Sequence, residues 1–439
     1  MSYKQMVKIL ITVVLFVGFS LKVVKAKCIN TFVFLRTDLY KESVKFKVKK
    51  VVIFDAQRNY LFNDKVLFFD SEKDFSQVFL GNACLPKSKR LKIKLEIDSL
   101  SFGNKKVNCF KKNVEGRIIF KNLKREEAVL IVSLHFVKKK NCWNGSLASF
   151  VPTGVNTIRL ILGIDKKNQG LWVINTLENR VEWFKEVKGF PVYLSKGKNG
   201  VYVVCKAERV LKVLDPRNLE LQQKFFLGEF EDPEFLLIDG DKGLILSPAD
   251  KQVGLIDLNT GQVISRKYID YTPNYASLIK NLREYAVSTE EGKVLIFDED
   301  LNLIKEITVS FTPKIVFSIN DKLYVGEVTG EVDVFDLGTY ALVDKLNVCR
   351  GRVNDVELVG NRVYLACSDG TLAYFYVSQP NFIEKEFFNQ GIERLCYDPY
   401  NGGIYFSIGN KVEVLDNLSG SITGEIQTGG DIYEMVDLP

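Results

Sequence analysis

Along residues 27–150 apolar and polar side chains alternate with period two, and no helical period interrupts them. Val44-Lys45-Phe46-Lys47-Val48 puts its apolar residues on one face and its lysines on the other, and Leu91-Lys92-Ile93-Lys94-Leu95-Glu96-Ile97 repeats the pattern. Such segments are antiparallel strands with one buried and one wet face. Phe32–Leu35, Val66–Phe69, Arg117–Phe120 and Ala128–Phe136 read as further strands, separated by Asp, Asn, Gly and Lys turns. Several short strands at this spacing predict a small β-sandwich. The lysine rows also protect strand edges from pairing with other chains.

Residues 151–439 repeat themselves. Seven segments, Leu171–Val187, Leu211–Leu227, Val253–Ile269, Val294–Val309, Val332–Val348, Leu372–Phe388 and Val412–Thr428, each carry an apolar strand, a turn and a second strand. The residues closing the first of those strands are Asn175, Asp215, Asp257, Asp298, Asp336, Tyr376 and Asp416, at intervals of 40, 42, 41, 38, 40 and 40. A period near 40 with four strands per unit predicts a seven-bladed β-propeller. In one unit the strands are expected at 234–238, 243–247, 252–257 and 262–268, with Asp257-Leu258-Asn259-Thr260-Gly261 as a tight hairpin turn. The first unit lacks an inner strand, since only Ile158–Gly163 precedes Leu171, and Asp431–Leu438 is left over at the end. The tail is therefore expected to pair with that strand and close the ring. The fold class expected is all-β, an N-terminal β-sandwich followed by a seven-bladed β-propeller closed by the C-terminal strand.

Two resemblances fit this reading. Val201-Tyr202-Val203-Val204-Cys205, Leu323-Tyr324-Val325-Gly326, Val363-Tyr364-Leu365-Ala366-Cys367 and Leu255-Ile256-Asp257-Leu258-Asn259-Thr260-Gly261 resemble the blade pattern of the YVTN family, relatives of quinoprotein-type and WD-repeat propellers. That likeness covers about residues 155–439 and implies the fold. It leaves function open, because the architecture hosts lactonases, lyases, dehydrogenases and plain scaffolds. Asp38, Val44–Phe54, Leu80-Gly81-Asn82-Ala83-Cys84-Leu85-Pro86 and Leu91–Ile97 resemble an uncharacterised transthyretin-like sandwich family of exported prokaryotic proteins. That likeness covers roughly residues 30–136 and implies an accessory module without catalysis.

Charge separates the two regions. Residues 27–150 hold 26 Lys+Arg against 12 Asp+Glu, a balance of +14, and residues 151–439 hold 30 against 42, a balance of −12. A domain boundary near residue 150 follows. Either the regions attract each other, or the basic one meets an anionic membrane or glycan surface. In the basic reading Lys45, Lys47, Lys92 and Lys94 form one outward patch if their strands are neighbours. Residues 1–26 show a basic start, an uncharged run Ile9–Leu21 and Val24-Lys25-Ala26, a signal peptide with an uncleaved anchor as the alternative. Export to the periplasm or cell surface is the expected location. In an oxidising compartment Cys28, Cys84, Cys109 and Cys142 read as two disulfides of open connectivity, and Cys205, Cys349, Cys367 and Cys396 as buried free thiols. Few Met, one His and many Lys fit a thermophile.

Candidate chemistry is sparse. No His lies in residues 151–439, which disfavours copper, haem and His-dependent lyase versions of the fold, and His135 reads as structural. Trp172 and Trp183 alone do not make a quinone-type Trp set. No catalytic residue, metal site or cofactor is assigned, and no nucleic-acid partner is expected. The expected function is binding or scaffolding, with a protein or envelope-polymer partner held by loop residues Glu231, Asp232, Tyr271, Asn274, Tyr275, Phe311, Arg350 and Arg352. Packing over the channel mouth is the competing role for those loops. The rival from another class is a metal-assisted hydrolase of lactonase type with acidic ligands at the propeller axis.

Overall fold

The computed structural model describes residues 28–37, 43–70, 77–86, 90–118, 127–152 and 159–438. The leader at 1–26, Asp38 and Ile158 lie outside them. Among the described residues every regular element is a strand apart from one short 3₁₀ turn at Lys206–Glu208, and no helix is long and apolar enough to cross a membrane. The expected all-β class is what the chain adopts.

The first ten strands are β1 (Cys28–Thr37), β2 (Val44–Phe54), β3 (Asn59–Asn63), β4 (Leu67–Asp70), β5 (Gln77–Pro86), β6 (Leu91–Phe102), β7 (Lys105–Lys106), β8 (Asn113–Ile118), β9 (Glu127–Lys139) and β10 (Cys142–Phe150). They form a four-stranded sheet in the order β10-β9-β1-β5 and a six-stranded sheet built on β2 and β6. β3 and β4 follow one another along the free edge of β2, and β8 pairs with β6. The two sheets pack face to face. Val44, Phe46, Val48, Ile93, Leu95 and Ile97 meet Val33, Leu35, Leu130, Val132 and Leu134 in one buried core.

β1 and β9 run parallel and are buried on both faces, which explains their near-continuous apolar runs. Their other face, Phe32, Phe34, Val129 and Ile131, packs against Ile161, Trp172, Phe184, Ile426, Ile432 and Met435 of the second half of the chain. The Phe32 and Trp172 rings meet edge-on at 4.7 Å, and the Arg36 guanidinium donates to the Val181 carbonyl at 2.6 Å. The junction is apolar, although the two regions differ so much in charge.

Residues 160–438 fold into seven four-stranded antiparallel sheets. The first combines Leu160–Asp165, Gly170–Asn175 and Arg180–Glu186 with the tail strand Met435–Leu438. The tail registers Leu160 opposite Leu438 and Gly163 opposite Met435. Each later sheet is consecutive in sequence, beginning with Pro191–Gly197, Phe235–Asp239, Pro273–Ile279, Pro313–Ile319, Val353–Val359 and Ile392–Asp398. First strands of successive sheets lie side by side, and Met435–Leu438 lies beside both Pro191–Gly197 and Ile392–Asp398. Second and third strands are apolar and buried, whereas fourth strands such as Leu221–Phe226 are largely exposed. The repeated Asp earns its place by side-chain capping: Asp257 accepts the N–H groups of Asn259 and Thr260 at 2.8 Å each, and Asp298 accepts those of Asp300 and Asn302. The backbone donors hold the Asp257 carboxyl below its ordinary range, and the Asn302 side-chain amide, followed by the backbone donors, does the same for Asp298.

Candidate functional site

A recurrent irregularity aims side chains at the space between the first strands. In five of the seven sheets the ladder shifts at the start of that strand, between Pro191 and Tyr193, Pro273 and Tyr275, Pro313 and Ile315, Val353 and Asp355, and Ile392 and Leu395. A bulge of this kind bends the strand and redirects the neighbouring residue. Tyr193, Phe235 and Tyr275 form an aromatic row there, with ring centroids 4.4 and 5.0 Å apart. Opposite them Arg394 Nε donates to Glu434 at 2.9 Å, and its Nη1 donates to the Asn354 carbonyl at 3.2 Å. Asp355 accepts the N–H of Leu395 at 2.8 Å and that of Val356 at 2.9 Å.

Burial dominates the electrostatics of this group. It pushes the Glu434 carboxyl up to about 7, against the pull of Arg394 and with help from Asp355. Glu357, two residues on from Asp355, is pushed up to about 8 by burial and then by Asp355 and Asp437. Burial also raises Tyr193 and Tyr275, and lowers Lys166, which Arg394 pushes further down. Perturbed groups gathered like this mark a functional or a structural ionic centre. Here Glu434 holds Arg394 and Asp355 holds neighbouring backbone, so the cluster ties the tail to the seventh sheet. Sequence reasoning missed Asp355, Arg394, Glu357 and Glu434. No sequence signal marked them, because they come together only through the packing of first strands from different sheets with the tail.

The eight predicted loop residues do not form one site. Asp232 pairs with Lys206 at 2.7 Å, a cation that Glu234 also contacts, while the Glu231 N–H donates to Asp250 at 3.0 Å. Tyr271 donates to Glu306 at 3.1 Å beside a separate pocket of about 280 Å³. Asn274 straps its sheet to the next by donating to the Pro313 carbonyl at 2.9 Å, and Tyr275 belongs to the aromatic row. Arg352 contacts Asn354 and reaches Glu393 at 3.8 Å.

Phe311 and Arg350 do come together. They line a cleft of about 1140 Å³ between the fifth and sixth sheets, with Glu331, Asp369, Lys385 and Phe387. Phe311 is 50% exposed and Phe387 75% exposed. Asp369 fixes the wall: it accepts the N–H of Arg350 at 2.8 Å and that of Thr371 at 3.0 Å. Burial alone would raise its carboxyl, but these bonds hold it low. The Arg350 side chain is exposed over the cleft. Cys349 also lines the wall and is joined to Cys367, so a disulfide staples the fifth sheet to the sixth. That corrects the expectation of free thiols at Cys349 and Cys367. The two sheets bring these cysteines together across 18 residues, and Cys205 and Cys396 remain free and buried. In the basic region the pairs are Cys28 with Cys84 and Cys109 with Cys142.

The four candidate lysines lie on neighbouring strands but not in one patch. Lys45 and Lys47 stand opposite Ser101 and Ser99, whereas Lys92 and Lys94 stand opposite Phe54 and Val52 at the other end of the β2–β6 ladder. Acids interleave them: Lys45 meets Asp70 at 2.9 Å, Lys47 meets Asp98 at 3.5 Å and Lys94 meets Glu115 at 3.9 Å. Period two gave the face correctly; the antiparallel register, invisible in one strand, separates the pairs. His135 sits half-buried on β9 opposite Ser146.

Among the described residues, one group of three His, Cys, Asp or Glu side chains comes within ligand-sharing distance: Cys349, Cys367 and Asp369. Both sulfurs are bonded to each other, so the group does not fit a cation. The acids Asp355, Glu357 and Glu434 do not converge in that way.

No protein-family model matches the chain, and no curated protein matches it. Among solved structures it is similar to the hydrazine synthase of Kuenenia stuttgartiensis, at 13% identity over 52% of this chain and 76% of that one, with a TM-score of 0.46. It is also similar to the computationally designed Ika8 protein, at 13% identity over 56% of this chain and 89% of that one, with a TM-score of 0.45.

Proposed function

We propose that this is an exported protein, periplasmic or on the cell surface, that binds and scaffolds rather than catalyses. In this reading a β-sandwich rides on a seven-bladed β-propeller that its C-terminal strand closes. Seven four-stranded sheets with adjacent first strands, and a tail paired into the first sheet, support the propeller. The YVTN-like and transthyretin-like sequence patterns point the same way. Three disulfides support an oxidising compartment.

The observation that carries the binding reading is the cleft holding Phe311, Phe387 and Arg350. Exposed aromatic rings beside a guanidinium are what protein and polymer partners anchor on. The disulfide and the Asp369 bonds keep its walls in place before a partner arrives, which lowers the ordering cost of binding. A photo-crosslinking residue at position 311 should trap a partner in the native envelope, and one at Leu418, in a turn at the opposite end of the strands, should not. Arg350→Glu should abolish the adduct at 311. Equal adducts at both positions, or one indifferent to Arg350→Glu, would defeat the proposal.

A further inference from the structure

The six-stranded sheet is the layer farthest from the seven-sheet array. The array packs on β1 and β9, these pack on β2 and β6, and the other face of β2 and β6 looks away from the rest of the molecule. A flat surface can therefore approach that face without meeting the array. Its rim along β3 and β4 is unusual in chemistry. Phe62 is 53% exposed, Val66 46% and Phe68 71%. Phe62 pairs with Val52 and Phe68 with Lys47, so both rings stand on the outward side of the sheet, while their neighbours Leu61 and Phe69 enter the core. Cations accompany the rings: Lys50 Nζ lies 4.8 Å from the Phe62 centroid, Lys47 Nζ 5.3 Å from that of Phe68, and Arg58 4.6 Å from that of Tyr60. Lys65 is exposed in the bend between the two strands.

We propose that this rim docks the protein on an anionic lipid bilayer. Phe62, Val66 and Phe68 would enter the headgroup boundary while Lys47, Lys50 and Lys65 swing their ammonium groups to the lipid phosphates. An acidic glycan fits the rim less well. Sugar rings need a bare aromatic face to stack on, and here ammonium groups sit over the rings; an exposed valine gives a hydrated polymer nothing. The charge balance orients the molecule, with the +14 region toward the anionic surface and the −12 region away from it.

The proposal rests on the export reading but not on the cleft, and its test keeps the two apart. Full-length protein and variants are floated with vesicles of phosphatidylcholine alone or with a quarter phosphatidylglycerol, so that anything residues 1–26 contribute is common to all. The parent should prefer the anionic vesicles. Lys47→Gln, Lys50→Gln and Lys65→Gln should each reduce that preference about fivefold. Phe62→Ser, Val66→Ser and Phe68→Ser combined should weaken binding on the order of tenfold, with an unchanged melting curve because these side chains are exposed. Crosslinking at position 311 should survive in every one of these variants. Vesicle binding that ignores both sets of substitutions overturns the proposal. So does a result in which the same substitutions abolish binding to alginate and leave vesicle binding intact.

Discussion

Single side chains in the cluster around Arg394 have the clearest consequences. Glu357 lies near Asp355 and Asp437, and burial followed by those two charges pushes its carboxyl up to about 8. In the unfolded chain a glutamate titrates near ~4.3. The folded state therefore binds more protons between those values, and stability falls as pH rises through that window. The contribution is complete below about pH 4 and is lost by about pH 8, a swing on the order of a few kcal/mol. Glu357→Gln removes the charge and keeps the shape, so it should raise the melting temperature at pH 8.5 and leave it unchanged at pH 4.5. An equal gain at both pH values would show that another group carries the slope. Nothing in the sequence singled out Glu357. It is one of many acids in an acidic region, and its environment combines its own strand, through Asp355, with the distant tail, through Asp437.

At the scale of elements, the disulfide between Cys349 and Cys367 joins the end of one sheet to the second strand of the next. Closing a loop of this length lowers the entropy of the unfolded chain by roughly 3 kcal/mol of stability. The Cys349→Ala, Cys367→Ala double variant should lower the unfolding free energy by about that much, read as a lower denaturant midpoint at unchanged slope, and widen the cleft above it. An unchanged midpoint would mean that the sheets hold each other without the staple. The strands themselves were legible: alternation located β2 and β6, and the 40-residue interval located the capped turns at Asp215, Asp257, Asp298, Asp336 and Asp416. Pairing was not. Which cysteines meet, and which ends of β2 and β6 coincide, depend on register between segments far apart in sequence, and period two says nothing about register. The runs Phe32–Leu35 and Ala128–Phe136 carried a further signal that was read only as strand. Continuous apolar character means burial on both faces, and hence a layer between two others.

The whole molecule is held together where its two halves meet beside the tail strand. Opposite net charges suggested an electrostatic attraction, yet the junction is built on an apolar cluster of Phe32, Phe34, Val129, Ile131, Trp172 and Phe184, which salt would not loosen. Ile432 and Met435 of the tail belong to the same cluster, and Met435–Leu438 completes the first sheet. Ending the chain at Gly430 removes three supports at once. It exposes the edge of Leu160–Asp165, takes two buried side chains out of the junction, and leaves Arg394 without Glu434. Losing either buried side chain alone costs about 2–5 kcal/mol, and Arg394 then keeps only the Asn354 and Glu393 carbonyls and the Asp355 charge. The sum is comparable to the whole stability of an ordinary domain. The truncated chain should therefore lose its cooperative transition in calorimetry, with the amide protons of Leu160–Asp165 and of β1 losing their protection from exchange together. A truncated chain that melts like the parent, or one in which β1 stays protected while the first sheet opens, would show that the tail is neither clasp nor junction.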